Sequence, residues 1–186
     1  MPGRFLLIQT AFIGDAILAT ALLEALHRAW PNAQIDLLVR RGNESLFIDH
    51  PFVNELFIWE KRTDKYRSLW QLLGQIRAIN YRAVINLQRF GATGLLTAFS
   101  GARVTIGFDK NPFSSLFTYS IPHQIGQNTH GMRHEVERNN DLLRPLDVPD
   151  YGKPRPKLYP SRADYEAVAP WQGQPYICIA PTSVWF

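Results

Sequence analysis

A single cysteine, Cys178, stands in 186 residues, so no internal disulfide can form. A chain without that staple reads by default as one kept in a reducing, cytoplasmic compartment. Cys178 lies inside the apolar run YICIA. Free cysteine behaves as a small hydrophobe, so a core thiol is expected there. Long apolar runs are lacking too. Those near the start are broken by Gln9, Asp15 and Glu24, well short of the ~20 residues that a spanning helix needs. RFLLIQTAFIGDA has the outline of a signal peptide, but Gln9 interrupts its centre and the same residues make a good first strand and turn. No strong charge of one sign is present. A net charge of +4 fits an anionic small partner or a membrane surface better than a protein that wraps DNA. Metal-ligand spacing is absent. HEVER begins like a zinc motif, but Arg138 stands where H-E-x-x-H needs its second histidine.

What is present is ordinary globular composition. Hydrophobic residues make 46% and charged residues 19%, which argues against disorder. The length suits one well-buried domain, or one domain and a piece of another. The order of patterns is informative. A continuous apolar run over residues 4–9 has the character of a strand buried on both faces. From Asp15 the period becomes 3.6, with Ile17, Leu18, Ala21, Leu22, Ala25 and Leu26 in one stripe, until Pro31-Asn32 ends it. QIDLLVR (34–40) and ELFIWE (55–60) read as strands, with a short helix over 43–50 between them. After the charged loop KRTDKYR comes an amphipathic helix through 69–79. AVINL (83–87) is a strand, ATGLLTAFSG a helix, RVTIGF a strand, and 134–146 a later helix. Strands alternating with helices predict an α/β fold, a parallel doubly wound sheet of Rossmann-like type.

Past Arg144 the composition shifts. Five prolines punctuate residues 145–160, which reads as an extended linker. A short helix, RADYEAVA, and a strand, YICIAP, follow. The expected division is residues 1–148 as one domain, and 149–186 as a linker and the opening of a second.

GDAILATALLEALHRAWPNAQIDLLV, HPFVNELF, YRAVINLQ, HEVER and ICIAPTSVW, in that order, resemble the family 9 glycosyltransferases. These are the ADP-heptose:lipopolysaccharide heptosyltransferases of Gram-negative bacteria. The resemblance implies a GT-B architecture, with two facing Rossmann-like domains. The first binds the acceptor sugar and the second the nucleotide-sugar donor. It implies an enzyme that passes heptose from ADP-heptose to a lipopolysaccharide inner-core acceptor by inverting, metal-independent transfer, with no cofactor. This chain would be the acceptor-binding domain and the start of the donor domain, a fragment expected to be inactive alone. The implied partners are the donor and the lipopolysaccharide core, with no nucleic acid. Peripheral association with the cytoplasmic face of the inner membrane is compatible with that acceptor. A Rossmann-like nucleotide- or sugar-binding module without transfer is the competing reading. A glycine-rich first turn would favour it, and TAFIGDA has neither G-x-G-x-x-G nor G-x-x-x-x-G-K-[ST].

The carboxylate of Asp15 has two readings. From spacing it is a helix N-cap or first-turn acid, worth roughly 0.3–1 kcal/mol. From the resemblance it is the general base that deprotonates the acceptor hydroxyl, with Gly14 letting substrate approach the backbone. The resemblance also points to Arg62 in the basic loop as an acceptor clamp, against the reading of a solvated loop. Gln88 and Arg89 end a strand at the expected cleft edge, where a structural role is the alternative. Lys110 matches loosely a basic acceptor contact. His134 and Arg138, four apart, are either an ordinary helix-surface pair or acceptor contacts. Thr182 and Ser183 follow the last expected strand and would contact the donor pyrophosphate.

Overall fold

The computed structural model describes residues 3–124, 134–148, 154–173 and 175–179. Six parallel strands form one sheet in the order β3-β2-β1-β4-β5-β6. They are β1 (Arg4–Gln9), β2 (Gln34–Arg40), β3 (Val53–Trp59), β4 (Ala83–Asn86), β5 (Val104–Phe108) and β6 (Tyr119–Ile121). The helices are α1 (Ile13–Ala29), α2 (Lys65–Arg77), α3 (Gly91–Ala98), α4 (Glu135–Asn140) and α5 (Arg162–Val168). The doubly wound α/β expectation holds.

Alternation along the strands builds two cores. Phe5 and Leu7 of β1 point to the face covered by α1 and by the turn around Leu142 and Leu146. Leu6 and Ile8 point to the face covered by α2 and α3. Both faces being covered explains why the middle of β1 reads as a continuous apolar run. The two halves of the sheet wind outward from β1 in opposite directions. Between β1 and β4 the strand order therefore reverses, and the carboxyl ends there are where folds of this kind hold a ligand crevice.

Asp36 is fully buried in β2. It accepts from Arg4 Nε and Tyr81 Oη at 2.6 Å each, and from Asn54 Nδ2 at 2.9 Å. Arg4 also pairs with Glu55. This saturated network ties the amino ends of the strands together and leaves Asp36 no free capacity.

Several elements differ from the sequence pattern. The helix expected over 43–50 is one 3-10 turn, Glu44–Leu46. Residues 134–146 split into α4 and a 3-10 stretch, Asp141–Leu146, which contains Pro145. Proline supplies no N–H for an α-helical ladder. β6 has three residues and no run of apolar periodicity to announce it. The buried face of α1 is wider than one stripe: Ala19, Thr20 and Leu23 are buried as well. The reason is a second layer. Residues 154–160 carry no helix or strand and lie along α1. Lys157 N donates to Thr20 Oγ1 at 2.9 Å, and Tyr159 donates its hydroxyl to Glu24. The Tyr159 ring meets His50 and Phe52 edge-on, at 4.8 and 5.6 Å between centroids. The extended segment is thus docked, not solvated along its length.

The strand expected at YICIAP is not seen over 175–179, where the backbone is irregular and Ile177 and Ile179 are 88% and 80% exposed. Cys178 is likewise exposed and is no core thiol. An apolar run becomes a strand only when a neighbour takes its hydrogen bonds, and this one pairs with no described strand. No helix among the described residues is long and apolar enough to cross a membrane.

Candidate functional site

The loops that leave the carboxyl ends of β1, β3, β4 and β5 carry the residues of interest. The β1–α1 turn is Thr10–Phe12. Phe12 occupies the N-cap position of α1 with extended backbone, and no side chain caps the helix there. Asp15 is the third residue of α1, half-buried in its first turn. Among the described residues no hydrogen bond or ion pair reaches its carboxylate. Of the two structural readings of Asp15, the N-cap is corrected, because the cap is Phe12, three residues earlier, and the first-turn acid is what is found. What remains of the structural role is the attraction of the helix dipole. Gly14 is exposed, and a Cβ placed there would meet nothing within 4 Å. The turn is open on the side where Asp15 stands.

Across the switch point, Gln88 lies in the loop after β4 and is buried. Its side-chain amide donates to Gln9 Oε1 at the end of β1, and its backbone N–H donates to Asn86 Oδ1 at 2.9 Å. Asn111 Nδ2, from the turn after β5, donates to the carbonyls of Gln88 and Phe90 at 3.1 Å each. Gln88 Oε1 and Asn86 Nδ2 are buried without partners among the described residues. A row of carboxamides thus lines the floor of the crevice, which suits a ligand rich in hydroxyls.

Cations surround this floor. Arg62, Arg89 and Lys110 are exposed on the loops after β3, β4 and β5. Arg138 lies differently from the sequence expectation. Its side chain is only 13% exposed and pairs with Glu135 at 3.4 Å, and its Nε is buried with no partner among the described residues. His134 is not its helix-surface mate. It is the N-cap of α4, its Nδ1 accepting from Val136 N at 3.2 Å while Glu137 accepts from His134 N at 3.3 Å. That is a reciprocal capping box. His123 packs edge-on against Phe108 at 4.7 Å. Burial, and then the charges of Arg138 and Arg89, hold its imidazole below the ordinary value. Asp15 and Gln88 therefore flank the switch point, with Arg62 and Lys110 on its outer loops. Thr182 and Ser183 lie outside the described residues.

Sequence reasoning passed over Lys61. In KRTDKYR the eye goes to exposed arginines, but Lys61 is the cation that folds inward. Its Nζ donates to Thr10 O at 2.5 Å and Thr10 Oγ1 at 3.0 Å. It also lies 4.6 Å from the centre of the Trp59 ring. Burial, and then Arg40 and Lys65, bring its pKa down to about 8. Among the described residues no group of three His, Cys, Asp or Glu could hold a metal ion.

A six-stranded parallel sheet with buried carboxamides, exposed cations and, among the described residues, an unpaired carboxylate near its switch point defines a Rossmann-like α/β protein. The chain belongs to glycosyltransferase family 9 (heptosyltransferase), whose family profile matches residues 68–185. It is 28% identical over 185 residues to lipopolysaccharide heptosyltransferase 3 of Escherichia coli, covering 92% of this chain and 52% of that protein. It is 29% identical to lipopolysaccharide heptosyltransferase 1 of Pseudomonas aeruginosa, with 90% and 50% covered. Among solved structures, a family 9 glycosyl transferase of Veillonella parvula superposes with a TM-score of 0.77 at 22% identity, over 93% of this chain and 51% of that one. An E. coli heptosyltransferase solved with ADP-2-deoxy-2-fluoro heptose gives 0.60 at 26%, over 83% and 50%. The chain spans about half the length of the curated relatives it matches.

Proposed function

We propose that this chain is the acceptor-binding half of a transferase that moves heptose from ADP-heptose to an inner-core sugar of lipopolysaccharide, with inversion and without a metal. Residues 1–148 form the acceptor unit, and 149–186 lead into the donor-binding one, where Thr182 and Ser183 meet the pyrophosphate. The acceptor is the sugar head of a membrane lipid, so the protein works at the cytoplasmic face of the inner membrane. Asp15 is the general base. Its carboxylate takes the proton from the acceptor hydroxyl as that oxygen bonds to the anomeric carbon of heptose. The bond from that carbon to ADP breaks, and ADP leaves with the electron pair. Gln88 orients the acceptor hydroxyls. Arg62, Lys110 and Arg138 meet its carboxylates and phosphates, where guanidinium binds in a fork. His134 keeps the α4 end in place beside Arg138.

The observation that carries this reading is the uncommitted carboxylate of Asp15 at the switch point, beside an open glycine. Asp15→Asn tests it in this chain joined to the donor-binding half of a family 9 relative. The expected outcome is kcat lowered by ~10²-fold or more, with the acceptor KM nearly unchanged. Near-normal kcat for the variant would remove Asp15 from the chemistry.

A further inference from the structure

The β1–α1 turn is held at three consecutive residues, gripped from the end of β2, the loop after it and the loop after β3. Thr10 receives Lys61 Nζ on both its carbonyl and its hydroxyl, at 2.5 and 3.0 Å. The carbonyl of Ala11 receives Asn43 Nδ2 at 3.0 Å. The Phe12 ring lies under the Arg40 guanidinium, 4.8 Å from its centroid. Asn43 and Thr10 are both buried. Such a turn follows no glycine-rich pattern that would set its own shape. Its geometry is imposed from outside, by the loops after β2 and β3.

We propose that Lys61 is a positioning residue, whose ammonium clamps the Thr10–Phe12 turn and thereby aims the first turn of α1, with Asp15 on it. The chemistry is that of a buried charge. A lysine inside the fold must be met by oxygens, and here both come from one residue of the turn. The Trp59 face screens the other side of the ammonium. Arg40 and Lys65 are the charged groups that act on it, both cationic, and among the described residues no carboxylate pairs with Lys61 in place of Thr10. This divides the basic loop by task. Lys61 faces inward and holds the protein, while its neighbour Arg62 is exposed and free to meet a ligand. The consequence for turnover rests on Asp15 being the base; the clamp itself does not.

The test therefore uses this chain alone and needs no substrate. Amide hydrogen exchange of Ala11 and Ala16, whose N–H groups donate to Gln9 Oε1 at 3.2 Å and Phe12 O at 3.1 Å, is compared in wild type, Lys61→Met and Lys61→Arg. The methionine keeps the stem and loses the donors. Protection of the turn should fall about tenfold, the worth of a charged hydrogen bond, while β1 and β4 keep theirs. Arginine should restore most of it. Unchanged protection in Lys61→Met would overturn the clamp. So would a loss spread evenly over β1 and β4, which marks general destabilisation. In the wild type, which folds whatever the variants do, the Lys61 side chain should titrate near 8 by NMR. A failed transfer assay with Asp15→Asn would leave these results standing.

Discussion

Asp36 in β2 and Asp15 in the first turn of α1 are two carboxylates separated by position. Asp36 is fully buried and satisfied by Arg4, Tyr81 and Asn54, so it stabilises. Asp15 stands half-exposed at the other end, with no described partner, so it is available for chemistry. Replacing Asp15 by Asn should therefore cost little stability, within the ~0.3–1 kcal/mol of a dipole contact. His50 gives a pH prediction. It is buried under Tyr159, and its Nε2 has no partner among the described residues. Burial lowers its pKa first; Lys157 and His27 lower it further, and Glu24 opposes them. A lowered folded value means that the unfolded chain takes up a proton that the folded chain refuses. The stability is present above the unfolded value of 6.5 and is lost as pH falls below it. His123, lowered mainly by burial, acts with the same sign. Thermal melts should show Tm dropping between about pH 7 and 5.5. His50→Gln should flatten part of that slope, and an equally steep slope in the variant would count against His50.

The elements depend on close approach at a few points. Gly94 sits in α3, where alanine would ordinarily gain about 1 kcal/mol of helix propensity. Here a Cβ would lie 2.0 Å from Asn111 Oδ1. That amide cannot swing away freely, because its Nδ2 holds the carbonyls of Gln88 and Phe90. Gly94→Ala should therefore destabilise by about 1–3 kcal/mol, the usual cost of overpacking. Denaturant midpoints measure this. A gain in stability would show that the α3–Asn111 contact is slack. The same displacement should disturb Gln88 at the crevice floor, so a packing change in a helix reaches the site through one side chain. Lys61 and Asn43 act similarly on α1, each reaching it from a neighbouring loop.

The molecule as a whole places stability and chemistry at opposite ends of its strands. Asp36 and its partners tie the amino ends, and the docked 154–160 segment buries the back of α1 beside His50 and Phe52. The carboxyl ends keep carboxamide atoms of Asn86 and Gln88 that have no partner among the described residues, and the exposed cations Arg62, Arg89 and Lys110. Such a division lets loops vary for ligands without loosening the core. It predicts a division in binding. Calorimetric titration of this chain with a lipopolysaccharide inner-core acceptor should show binding that weakens with added salt, because cations carry it. Titration with ADP-heptose should show much weaker binding or none. The reverse preference would assign the crevice to the donor and refute the proposed acceptor role.

Periodicity in the sequence determined the class of fold. Apolar runs of strand length alternating with 3.6-residue stripes admit few arrangements other than a parallel sheet covered on both faces. The ordered motifs pointed to the family, and Gly14-Asp15 to the cleft edge. These signals are local, carried by neighbours along the chain. Three-dimensional packing decided the rest. KRTDKYR contains four cations, and nothing along the chain says that Lys61 turns inward while Arg62 stays in water; the position of Thr10, 51 residues away, decides it. HEVER reads as one helical face, yet a capping box makes His134 the start of the helix and leaves Arg138 half-buried. YICIA has the composition of a strand, but no described strand accepts its hydrogen bonds, so Cys178 is exposed. A side chain's partners are set by residues distant in sequence, and only the folded chain brings them within hydrogen-bonding reach.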